Sequence, residues 1–176
     1  MDAMTMERQQ AGIAEGLRMA LRSLVRPVAV VTAERDGTRY AMAATAFCEV
    51  SMEPPSMLVC INQANPTWQA ISLGADIGIN LLSESQVEVC RHCSSNAGGE
   101  AKFAVGDWLL EPGRPPRLAD SCTTIVLRPT QLVQQGTHMV VIGEIIDIAH
   151  QRHLAPLAFH QGDYVLPLPA AAGLPS

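Results

Sequence analysis

A mainly antiparallel β-barrel or sandwich with a few flanking helices is the fold class this sequence predicts, on three observations. Many short apolar runs are bounded by Gly, Pro, Asn or Asp, and only a few stretches carry a helical period. Asp36-Gly37 between two such runs is a strong hairpin signal. Met139 to Ile148, MVVIGEIIDI, is the longest apolar strand. Closing the strands into a barrel would hide sheet edges that otherwise invite pairing. The length of 176 residues suits a single domain.

In chain order, Arg8 to Leu24 places Ile13, Leu17, Ala20, Leu21 and Leu24 on one helical stripe, and Pro27 ends the helix. Residues 1–25 are therefore assigned to an N-terminal helix, 26–167 to the β domain and 168–176 to a disordered tail. Val28 to Thr32 and Thr38 to Ala43 are hairpin strands around the Asp-Gly turn. Met57 to Ile61 is a buried strand after the Pro54-Pro55 break. Asn65 or Thr67 caps a short helix over Trp68 to Leu73. Ile77 to Leu82 is a strand, and Ser83 with Gln86 has capping-box spacing for a helix over Ser85 to Cys93. Ser94 to Glu100 is a mobile loop, and Trp108 to Leu110 a short strand. Cys122 to Leu127 and Thr130 to Val133 read as two strands interrupted by Pro129. Leu157 to Phe159 and Tyr164 to Leu166 complete the set.

Composition removes several function classes. A net charge of −5 argues against a nucleic-acid surface, which needs a basic stripe. No apolar run approaches the roughly 20 residues of a membrane helix. Five cysteines, an odd number, and an N-terminus without a signal-peptide layout predict a reducing, cytoplasmic setting. Neither G-x-G-x-x-G after a strand nor a P-loop occurs, so a nicotinamide dinucleotide would need another arrangement. No Ser-His-Asp order or paired-carboxylate spacing points to hydrolysis.

The informative stretch is Tyr40 to Asn62. Ala41, Ala43, Ala44 and Ala46 let a planar ligand approach the backbone, with the Thr45 hydroxyl beside them. Two strands around such a turn make a slot for an anion or a flat heterocycle. The plain alternative is an alanine-rich strand packed under a helix.

The succession VAVVTA, DG, AMAATAFxxVSxxPP, CIN, IxINLLSxxQ, KF, GxH and a late GxY, over about Arg22 to Tyr164, resembles the short-chain flavin reductases. These are the reductase components of two-component flavin-dependent monooxygenases. The resemblance implies an FMN-binding split β-barrel with Greek-key antiparallel strands. It implies FMN or FAD as flavin, NADH or NADPH as co-substrate, a homodimer, and a separate flavin-dependent monooxygenase as the recipient of reduced flavin. It leaves open a reductase of the same fold serving a corrinoid or ferric chelate, and a non-catalytic flavin- or haem-binding module.

The resemblance also assigns residues. Ala44, Thr45, Ala46 and Phe47 match the segment that holds the flavin's ribityl and phosphate region. Thr and Ser are common in the family where Ala43 and Ala46 stand here, so two hydroxyls are missing. Cys60, Ile61 and Asn62 match the segment along the isoalloxazine edge. Asn80 and Leu81, with Gln86, match another flavin-lining strand and helix start; a buried amide satisfying a turn is the competing reading of Asn80. Lys102 and Phe103 match a basic-aromatic pair beside the flavin, although a lone lysine after Gly-Gly is ordinarily solvated. Tyr164 belongs to the late GxY. His138 matches a Gly-Asp-His turn near the nicotinamide, with Thr137 in place of the Asp; a surface histidine at a strand start is the alternative. Cys90-Arg91-His92-Cys93 invites a redox or zinc reading, but it falls at a helix end and lacks a second ligand pair, so no metal is assigned.

Overall fold

The computed structural model describes residues 3–167; the tail assigned to 168–176 lies outside them. The elements are α1 (Ala3–Arg22), β1 (Arg26–Pro27), β2 (Ala29–Arg35), β3 (Thr38–Ala44), β4 (Phe47–Met52), β5 (Pro55–Asn62), α2 (Pro66–Ser72) and β6 (Ile77–Leu81). There follow a 3₁₀ turn Glu84–Gln86, α3 (Val87–Ser94), a second 3₁₀ turn Gly99–Phe103, β7 (Trp108–Leu109) and β8 (Arg117–Leu118). The chain ends in β9 (Thr123–Gln135), β10 (His138–His150), β11 (Ala158–His160) and β12 (Asp163–Val165).

Seven strands form one antiparallel sheet in the order β3-β2-β6-β9-β10-β5-β4. If flat, its outer strands would lie about 29 Å apart at the usual interstrand spacing. Only Thr45 and Ala46 separate β3 from β4, and that link spans at most about 11 Å. The sheet therefore curls until its two edges meet at the alanine corner, and chain rather than a hydrogen-bonded ladder closes the barrel. This is the split-barrel form.

β2 is buried on both faces. Ala29, Val31 and Ala33 point into the barrel with Val59, Ile61, Ile77, Ile79, Leu127 and Val141, and α2 contributes Ala70 and Ile71 to the same cluster. Val28 and Val30 point the other way, against Leu82, Leu118 and the inner face of α3 formed by Val89, Cys90 and Cys93. The β2–β3 turn holds both Asp36 (φ 53°) and Gly37 (φ 80°) in the left-handed region, the type I′ geometry that Asp-Gly favours. Asn65 caps α2 through Oδ1, which accepts from Thr67 N at 3.0 Å. Gln86 Oε1 accepts from Ser83 N at 3.0 Å, the expected capping box.

One sequence expectation is corrected. Pro129 does not split its region into two strands: β9 runs unbroken through Thr123–Gln135. Pro129 faces Gly143, and the register shifts between Ile142 and Gly143. A bulge there accommodates the missing N–H.

Candidate functional site

Two adjoining hollows lie over β3. The larger, about 590 Å³, has Tyr40, Ala41, Met42 and Ala43 on one side, Asn62, Asn65 and Thr67 on another, and the 94–99 loop with Lys102 on the third. The smaller, about 230 Å³, is lined by Arg26, Val28, Ala43, Ala44, Thr45, Cys90, Ser94, Phe159 and Tyr164. Ala43 and Ser94 line both, so the hollows form one groove. The floor is alanine because β3 alternates: Ala41 and Ala43 lie on the α3 side, while Tyr40, Met42 and Ala44 pack against the barrel core.

The loop wall is tied down. Lys102 Nζ donates to the carbonyls of Cys93 at 2.6 Å and Ser95 at 2.7 Å, satisfying the C-terminal end of α3. A ring nitrogen of His92 pairs with the Ala101 carbonyl at 2.6 Å, and Arg39 of β3 bridges Glu100 at 3.0 Å. At the opposite rim Asn62 Oδ1 accepts from Ala64 N at 2.9 Å.

Of the residues assigned from sequence, Ala44, Thr45, Asn62, Lys102 and Tyr164 meet around this groove. His138 stands beside it: it is exposed, pairs in register with Asn62, and its Nδ1 lies 3.0 Å from Thr137 Oγ1. The Thr137 carbonyl accepts from Gln63 N at 2.9 Å, which fastens the His138 turn to the Asn62 rim.

The others lie elsewhere. Ala46 is exposed at the corner, where its carbonyl accepts from Cys60 N, and Phe47 packs on the barrel core. Cys60 is half-buried, and Ile61 is fully buried inside the barrel. Leu81 packs on the same core, and Phe103 meets Trp108 edge-on at 5.1 Å. Asn80 is fully buried, with its amide spent on the core. Nδ2 donates to the Val30 carbonyl at 3.1 Å, while Oδ1 accepts from Leu118 N at 2.9 Å and from Thr124 Oγ1 at 3.1 Å.

The cysteine pair is enclosed. Burial raises the Cys90 thiol, and Tyr164 donates its hydroxyl to Cys90 Sγ at 3.3 Å. Burial also pushes Cys93 from 9.0 up to about 11, with Lys102 pulling weakly the other way. Tyr164 is raised from 10.0 to about 12, first by burial and then by its bond to Cys90, so it stays a donor at neutral pH.

Sequence reasoning missed Arg26 and the 94–99 wall. An arginine opening the first strand, immediately before proline and an apolar run, was the available signal for Arg26. Nothing local marks a loop as the side of a groove.

Residues 21–166 match the model of the family described as flavin reductase like domain. The chain is 28% identical over 161 residues to the reductase component of an FADH(2)-dependent resorcinol hydroxylase from Rhizobium sp. (strain MTP-10005), covering 90% of each chain. It is 31% identical over 132 residues to the FMN reductase (NADH) RutF of Agrobacterium fabrum (strain C58 / ATCC 33970), covering 74% of this chain and 75% of that one. The crystal structure of a nitrilotriacetate monooxygenase component B homologue from Mycobacterium thermoresistibile superposes with a TM-score of 0.83. Its identity is 25%, over 95% of this chain and 93% of that one. With a match that spans most of its length and a barrel of the same form, this chain belongs to the flavin reductase-like domain family.

Proposed function

We propose that this protein is an NAD(P)H-dependent flavin reductase that binds FMN or FAD in the groove over β3 and releases reduced flavin to a separate flavin-dependent monooxygenase. The observation that carries the reading is the alanine-floored groove itself, in a chain of the flavin reductase-like family. Its volume lies within the range of small-ligand sites. Methyl side chains at Ala41 and Ala43 allow a flat ring to lie against the strand. A bound flavin supplies the ring system that accepts hydride from the reduced nicotinamide.

The chain's own groups bind and orient. Asn62 and Asn65 present carboxamides at one rim, and the 94–99 wall shields the floor from water. Lys102 places a positive charge at the opposite side, which favours negative charge developing on a reduced ligand. His138, set by register against Asn62, is assigned to position the nicotinamide rather than to donate a proton. We assign the protein to the cytoplasm; no helix among the described residues is long and apolar enough to cross a membrane. We also assign it as a homodimer, for reasons of exposed apolar surface argued below.

Purified protein mixed with NADH or NADPH and excess FMN or FAD tests the reading. Loss of the reduced-nicotinamide absorbance in proportion to enzyme is expected for at least one pair. No turnover with any pair overturns it.

A further inference from the structure

A separate polar hollow of about 300 Å³ shares no lining residue with the groove. It sits where the 111–117 connector crosses β9 and β10. Three arginines, Arg114, Arg117 and Arg128, line it together with two carboxylates, Asp76 and Asp147. Each carboxylate is already engaged by one guanidinium. Arg128 holds Asp76 through two bonds at 3.2 and 3.1 Å, and Arg117 Nη2 donates to Asp147 Oδ2 at 2.6 Å. Positive charge is therefore in excess here, in a protein whose net charge is −5.

Arg117 is short of acceptors. Its Nε is buried and meets none, and its Nη1 has no hydrogen-bond partner among the described residues. An enclosed guanidinium N–H without an acceptor is costly, and native proteins rarely leave one so. The residue is also held in place. Arg117 pairs with Leu109 in the β7–β8 ladder, and the carbonyl of Pro116 accepts from the buried Thr32 hydroxyl at 2.7 Å. Arg114, on the same connector, makes only a loose contact with Glu111 at 3.5 Å, so its exposed guanidinium is free to turn to a ligand.

We infer that Arg117 and Arg114 form a binding site for a compact oxyanion of the phosphate type, away from the groove. The anion supplies the acceptor that Asp147, on Nη2, leaves missing, and guanidiniums meet phosphate oxygens with paired donors. The volume is at the lower end of the range for small-ligand sites, which suits a free anion or the charged head of something larger. Room for the remainder lies alongside: Asp76, Gly113 and Arg128 also line a hollow of about 610 Å³ that Arg35 and Arg39 border. The inference does not depend on the flavin-reductase reading.

Isothermal titration of the full chain without flavin decides it, using inorganic phosphate and glucose 6-phosphate at an ionic strength fixed with sodium chloride. Wild type, Arg117→Gln and Arg114→Gln are compared, and thermal melting checks that each variant folds. Wild type is expected to bind at least one of the two probes. Arg117→Gln should weaken that binding on the order of tenfold, the worth of a charged hydrogen bond, and Arg114→Gln by a smaller factor. Arg114 is exposed on the connector, so its variant still decides the matter if Arg117→Gln does not fold. Binding of inorganic phosphate alone assigns the site to a free anion, and tighter binding of glucose 6-phosphate extends it into the larger neighbouring hollow. The site is overturned if wild type binds neither probe, or if every folded variant stays within about twofold of wild type.

Discussion

Burial decides which individual side chains are available for chemistry. Cys48 is exposed, whereas Cys90 and Cys93 are buried on the inner face of α3. Only a thiolate attacks an alkylating reagent, and with its pKa near 11 Cys93 is about 1% ionised even at pH 9. A water-soluble maleimide followed by mass spectrometry should therefore label Cys48 first and reach Cys93 only after unfolding or at strongly alkaline pH. The linkage has a definite sign. A folded value above the unfolded 9.0 gives stability that is complete below pH 9 and lost as pH rises toward 11. Native Cys93 reacting at pH 7 as fast as Cys48 contradicts this burial. Asn80 shows the same control by environment. Its place in INLLS matched a flavin-lining strand, but bonds from three other segments use both ends of the amide inside the core.

At the level of the elements, the longest hairpin depends on a glycine. β9 keeps Pro129 because the ladder shifts register opposite Gly143, where the backbones come close. A Cβ on Gly143 would sit 2.8 Å from the Arg128 carbonyl oxygen, which is backbone and cannot swing aside. Gly143→Ala should therefore lower stability by about 1–3 kcal/mol, the usual cost of overpacking. A lower urea midpoint with an unchanged m-value is the expected result, and a wild-type midpoint removes the argument. The hairpin and the caps on Asn65 and Ser83 were readable from sequence because each depends on neighbours a few residues away. The continuity of β9 was not, since it needs a glycine on another strand.

For the molecule as a whole, the question is what covers α1. Ile13 and Leu17 share one face of α1 and are 64% and 56% exposed, and Leu24, just past the end of the helix, is 51% exposed. Leu132, Val133, Ile146 and Ile148 on the β9–β10 hairpin are exposed as well. Apolar surface on this scale usually marks an interface, and the homodimer assignment rests on it. The pair Ile13→Glu and Leu17→Glu should convert dimer to monomer in size-exclusion chromatography with light scattering while the barrel's melting transition persists. A monomeric wild type, or a double variant that stays dimeric, removes α1 from any such interface.

From sequence alone came the antiparallel β class, the hairpin turn, the helix caps and the segments that border the groove. The class, the turn and the caps follow from residue periodicity and turn chemistry, which act over a few residues, and the bordering segments from the alanine-rich stretch and the family resemblance. Only the tertiary structure decided that the barrel closes at Thr45-Ala46 and that Lys102 is occupied by carbonyls. It also placed Asn80 in the core and left Arg117 beside a hollow with a buried Nε that meets no acceptor. Each of those outcomes depends on contacts between segments far apart in the chain, and local pattern carries no record of them.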